Sequence, residues 1–157
     1  MVVFEHPGVP DAGIQVPAGT IHPGEHPARA ALREAAEETG LKGEPPDAVP
    51  RFGLPYALSL LSHRLPVHLS LRRKLGVVDY DLRPWGRNET HRRHFFHLDL
   101  SGDLPESWTA WEEHPSDGSP APIEFRVFWA DLRAGLPAIS GELDALLHQV
   151  ISDCCGP

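Results

Sequence analysis

Residues 26–40 read HPARAALREAAEETG, and this stretch leaves the chain little conformational choice. Pro27 has no amide hydrogen and a φ already near the helical value, so it suits the first position of a helix. The twelve residues after it, ARAALREAAEET, are mostly strong helix formers. Gly40 can adopt the left-handed conformation that ends a helix. The sequence therefore predicts a helix over 27–39 with both ends defined.

On a helical wheel with Glu34 at the origin, Glu38 falls at about 40° and Glu37 at about 300°. The three carboxylates share one face. Ala28, Leu32, Ala35 and Ala36 lie opposite, between about 100° and 200°. One side of the helix is built to pack closely on a sheet, and the other gathers negative charge. Like charges at i and i+4, as in Glu34 and Glu38, weaken an isolated helix. Arg33 can pair with Glu37 at i+4, but one arginine cannot neutralise three glutamates. Hard divalent ions such as Mg²⁺ take carboxylate oxygens and also bind substrate phosphates. An acidic face of this kind can therefore attract an anionic ligand. The alternative is a solvated acidic face on a surface helix.

The frame around the acids favours the metal reading. Gly19 is followed after five residues by Glu25, and after seven more by Arg33-Glu34-Ala35-x-Glu37-Glu38-x-Gly40-Leu41. With each fixed type near ~7% of usage and apolar types near ~40%, a chance match at one start position is on the order of 10⁻⁹.

Residues 19–41, GTIHPGEHPARAALREAAEETGL, resemble the signature box of the Nudix hydrolases at every defining position, and QVPAGTIHPGE resembles the family's approach to it. The resemblance implies one domain over 1–157 with an α/β fold. This fold is an α/β/α sandwich with a mixed sheet, and the box forms a loop–helix–loop. It implies hydrolysis of a pyrophosphate bond in a nucleoside diphosphate linked to another moiety, by a water that Mg²⁺ (or Mn²⁺) activates. Carried over position by position, Glu34, Glu37 and Glu38 are expected as metal ligands, with the backbone carbonyl of Ala18 completing the site. The base on the attacking water is the alternative role for either Glu34 or Glu37, and the resemblance leaves open which of the two takes it. Arg33 and Glu25 would orient these acids, while Gly19 and Gly40 would serve backbone geometry. Many members add an acid from a downstream loop, for which Glu112 and Glu113 are the candidates. A Nudix-fold nucleotide-binding or regulatory module without turnover is the alternative, and the complete set Glu34, Glu37 and Glu38 argues against it. There are two departures. The box begins at residue 19, earlier than usual, so an N-terminal strand is expected to be missing. Either the true start lies upstream or a second copy fills the gap in a homodimer. Residues 43–72 also form a longer connection than many members need.

Elsewhere, VVFEH at 2–6, IQVPAGT at 14–20, VHLSLR at 67–72, KLGVVDYDLR at 74–83 and HRRHFFHLDL at 91–100 are predicted strands, with IEFRVFWADL the last strand. In VHLSLR the residues Val67, Leu69 and Leu71 share one side. DLPESWTAWEEHPSDGSPAP is predicted to be a long polar loop. GELDALLHQVISD is predicted to be a helix packed through Leu143, Leu146, Leu147, Val150 and Ile151. Arg92 and Arg93 are candidates for contacting substrate phosphate; solvent-facing positions on a strand are the alternative. Trp85, Trp108 and Trp111 could stack on a base or pack in a core. His91, His94 and His97 do not suit zinc, because on a strand His91 and His97 lie about 20 Å apart and His94 points the other way.

The net charge of -8 argues against a broad basic surface for duplex nucleic acid. No apolar run is long enough to span a membrane. The two cysteines, Cys154 and Cys155, are adjacent, which suits neither a disulfide framework nor a zinc site. They read as free thiols in a reducing, cytoplasmic compartment. A small nucleotide-type molecule is the expected partner.

Overall fold

The computed structural model describes residues 1–41, 67–112, 122–135 and 138–155, with side chains described up to residue 152. Glu113, most of the 43–72 connection and the thiols of Cys154 and Cys155 therefore lie outside the described residues. The elements run β1 (Val2–Glu5), α1 (Pro27–Thr39), β2 (His68–Asp81), β3 (Thr90–Ser101), β4 (Ser107–Glu112), β5 (Ile123–Trp129) and α2 (His148–Cys155).

Helix α1 has the predicted bounds. Its N-cap is His26, whose Nδ1 accepts the Ala28 N–H at 3.2 Å. Gly40 ends it in the left-handed conformation, with φ 66°. Leu32 and Ala35 are buried against Leu69 of β2, with Leu98 and Leu100 of β3 packed around them. Ala28 and Ala36, predicted for the same side, are half-buried. Burying a leucine side chain contributes about 1.5–3 kcal/mol. A like-charge i, i+4 pair costs only about 0.2–0.5 kcal/mol. Packing therefore outweighs what such a pair costs on a solvated helix face.

β1, β5 and β4 form an antiparallel sheet in that order, and β2 and β3 form a long antiparallel hairpin. A parallel bridge joins Ile14 to Ile139, and an antiparallel one joins Phe4 to Gln15. Phe4, Ala110, Phe125 and Val127 form the core of the three-stranded sheet, with Val2, Trp108 and Ile123 packed against it. A second cluster, Val3, Ala130 and Ile139, lies on the other face of β1. Every residue from Thr90 to Leu100 borders a cavity of about 1230 Å³ that also reaches Ala18, Gly19 and Glu34.

Four expectations need correction. VHLSLR and KLGVVDYDLR are one strand, β2, with register shifts between Leu71 and Arg73 and between Lys74 and Gly76. Such bulges break the period of two beyond Leu71; within the regular stretch before them Leu69 is buried beneath Leu32 and Ala35 of α1, while Leu71 is exposed. IQVPAGT makes only the single bridges at Ile14 and Gln15, since Pro17 has no N–H to continue a ladder. The supposed polar loop contains β4, which pairs with β5 from Ser107 opposite Phe128 to Glu112 opposite Ile123. GELDALLHQVISD is not a helix from its start. Gly141 and Glu142 both have positive φ, and regular α-helix begins only at His148. The stripe still holds, because Leu143, Leu146, Leu147, Val150 and Ile151 are all at least half-buried.

Candidate active site

The site is assembled by α1, the loop at residues 18–25 and strand β4. Arg33 stands at its centre. Its Nε and Nη2 donate to the two carboxylate oxygens of Glu25 at 3.0 and 2.9 Å, a forked contact. Nη1 donates to Glu34 at 2.8 Å and to Glu37 at 3.1 Å, and Nη2 also reaches the Thr20 carbonyl at 2.9 Å. Glu25 further accepts the His22 N–H at 3.0 Å. The Arg33 hydrogen bonds, helped by the one from His22, hold the Glu25 carboxyl down at about 2. The guanidinium is held charged, chiefly by Glu25 and then by Glu34.

The three helix acids are not equivalent. Glu37 is exposed and contacts Arg33. Glu34 is buried, its carboxylate lying over Gly19. A methyl group at Gly19 would collide with that carboxylate. Gly19 is thus required for close approach, whereas Gly40 is required for its positive φ. Glu38 accepts the Ala18 N–H at 2.8 Å. Burial pushes its carboxyl up to about 8, with further contributions from Glu34, Glu112 and Glu37. The acids placed on one face of the wheel thus divide into one exposed, one buried under a glycine, and one set into the protein against Ala18.

Glu112 sits at the end of β4, and its charge acts on Glu38. Of the downstream candidates it is the one described, and it lies beside the helix acids. Arg92 and Arg93 border the cavity that reaches Gly19 and Glu34. Arg92 is paired with Asp79 at 3.0 Å. Arg93 lies 3.5 Å over the Tyr80 ring and donates to the Gly141 carbonyl. Trp85 and Trp111 are exposed. Trp108 instead donates its indole N–H to the Thr39 carbonyl at 2.7 Å. No local pattern announces that bond, because the strand carrying Trp108 reads as loop.

Among the described residues, no group of three His, Cys, Asp or Glu side chains is arranged as a ready metal cage. Arg33 lies among Glu25, Glu34 and Glu37 and draws their oxygens to itself. The donor chemistry nevertheless fits a hard divalent ion: the set is all carboxylate, and the half-buried Glu38 is held among three other carboxylates. No described helix is long and apolar enough to cross a membrane. No curated protein and no solved structure matches the chain. A family model described as NUDIX domain matches residues 1–124. That match takes in most of the sequence and the whole box, and the chain belongs to the Nudix family, with its α/β fold.

Proposed function

We propose that this protein is a Mg²⁺-dependent pyrophosphohydrolase acting on a nucleoside diphosphate linked to another moiety. Family membership supports, at the coarser level, a hydrolase of pyrophosphates in nucleoside diphosphate derivatives. The observation that carries the finer reading is Glu38. It is a carboxylate set into the protein beside Glu34, Glu37 and Glu112, with a neutral backbone N–H as its hydrogen-bond partner. Such a group favours protonation unless a cation compensates it.

In this reading Glu34, Glu37 and Glu38 hold the ion, with the Ala18 carbonyl and Glu112 beside them. A bound divalent ion would lower the pKa of a water and neutralise charge on the phosphates. Arg33 and Glu25 hold the acids in place: Glu25 fixes the guanidinium, and the guanidinium fixes Glu34 and Glu37. The Ala18 N–H orients Glu38. Either Glu34 or Glu37 takes the proton from the attacking water. The bond to phosphorus then forms as the pyrophosphate link breaks.

The test is release of phosphate-containing products, with Mg²⁺, from a panel of ADP-ribose, dinucleoside polyphosphates, oxidised nucleotides and nucleotide sugars. Wild type is expected to turn over at least one, and Glu38→Gln to lose activity on the order of 100-fold. Absence of turnover by wild type on the whole panel favours a binding module instead. Equal activity of the two proteins overturns the role of Glu38.

A further inference from the structure

We propose that Trp108 is a positioning residue. By pinning β4 to the last turn of α1 through its indole N–H, it sets Glu112 opposite Glu38. The inference rests on the reading of Glu38 and Glu112 as parts of one metal-binding acid set.

Two contacts and one electrostatic relationship along one face of β4 carry it. Residues 108, 110 and 112 point the same way, as alternate residues of a strand do. Trp108 donates to the Thr39 carbonyl at 2.7 Å. That carbonyl belongs to the last turn of the helix, where backbone acceptors have no partner within the helix. A hypothetical Cβ on Gly40 would lie 3.5 Å from the Ala110 Cβ, so the strand closes directly on the helix end. Glu112 then comes within electrostatic reach of Glu38. The ladder to β5, with Trp108 opposite Val127 and Glu112 opposite Ile123, fixes where Glu112 sits in the sheet. It does not fix where the sheet sits relative to the helix. The indole hydrogen bond does that, and it names one atom of α1. A slip of the strand by two residues would carry Glu112 about 7 Å from its place. Trp108 is also packed against the core of the sheet, so the pin has a rigid base.

The experiment is a double-mutant cycle read by Mn²⁺ titration of the metal-free, full-length protein, without substrate. The variants are Trp108→Phe, which keeps an aromatic ring but has no N–H, Glu112→Gln, and the double variant. Each single change is expected to weaken Mn²⁺ binding on the order of tenfold. The double variant is expected to bind no more weakly than Glu112→Gln alone, because an unpinned strand has nothing left to misplace. Replacing Trp108 by its benzothienylalanine isostere, which keeps the shape and lacks the N–H, must give the same result and covers the case in which Trp108→Phe does not fold. Unchanged Mn²⁺ affinity in both Trp108 variants overturns the proposal. So do losses that multiply in the double variant, or a Glu112→Gln protein that binds as wild type does. Turnover plays no part in this readout, so a protein that binds Mn²⁺ with the expected coupling but hydrolyses nothing would sink the proposed activity and leave the pin standing.

Discussion

The Ala18 N–H meets the Glu38 carboxylate at 2.8 Å, and this bond joins the loop before the box to the end of the helix that carries its acids. It favours the charged carboxylate, but burial and the neighbouring carboxylates outweigh it, and Glu38 rises from 4.5 to about 8. Between these two values the folded protein holds a proton that the unfolded chain has released. Stability from this group is therefore full below about 4.5 and is lost as pH rises through about 8. In metal-free buffer the unfolding free energy should fall by up to about 1.4 kcal/mol per pH unit across that window. Urea titrations of wild type and Glu38→Gln at several pH values check this. The slope should flatten in the variant, and an equal slope in both would assign it to other groups.

Metal should reverse that trend. An ion that binds only the folded form stabilises it in proportion to the logarithm of its concentration over Kd. Its carboxylate ligands must be ionised, so its apparent affinity should rise with pH. The increase in Tm on adding Mg²⁺ is expected to be larger at pH 8.5 than at pH 6 (roughly the two sides of the Glu38 transition). It should vanish with EDTA and shrink in Glu38→Gln. Calorimetric scans with and without Mg²⁺ at the two pH values are the measurement.

Gly19→Ala should drive a methyl group into the Glu34 carboxylate. Overpacking of this kind costs about 1–3 kcal/mol. In a Glu34→Ala background the same substitution should cost markedly less, because the colliding group is gone. Equal losses of unfolding free energy in the two backgrounds would show that Gly19 is needed for some reason other than space.

Arg33→Lys keeps the charge but cannot reproduce a fork to Glu25 together with bonds to Glu34, Glu37 and the Thr20 carbonyl. Metal affinity or kcat should fall on the order of 10–100-fold. Mn²⁺ titration and steady-state kinetics both read it. Near-wild-type values would mean that a point charge at this position is enough.

The first half of the site was legible because its signals are local. Pro27 and Gly40 mark the ends of α1 by their own backbone preferences, and the acid face follows from the helical period. Strand β4 was hidden for the opposite reason. TAWEE alternates only weakly and is flanked by Pro, Ser, Asp and Gly, and it becomes a strand because β5 offers it a partner. Without β4 the Trp108 bond to Thr39 has no signal in the sequence, whereas Glu112 stands out as a downstream acid. The 141–153 segment misled in another way. Its apolar stripe is real, but Gly141 and Glu142 take a positive φ that no hydrophobic pattern records. The wheel also had no means of showing that Glu34, on the charged side, is covered by the loop at Gly19.

Gly19 and Glu34 lie fifteen residues apart in the chain, yet they divide a single volume between them. What is written as two separate letters of a motif is one packing event: the first letter is the space that the second fills. Position 19 cannot grow alone. A relative of this chain that enlarged the residue at position 19 would have to shorten or move the acid at 34. The two positions are therefore expected to change together across divergent sequences, while Glu37, exposed on the same helix, has no such tie to Gly19.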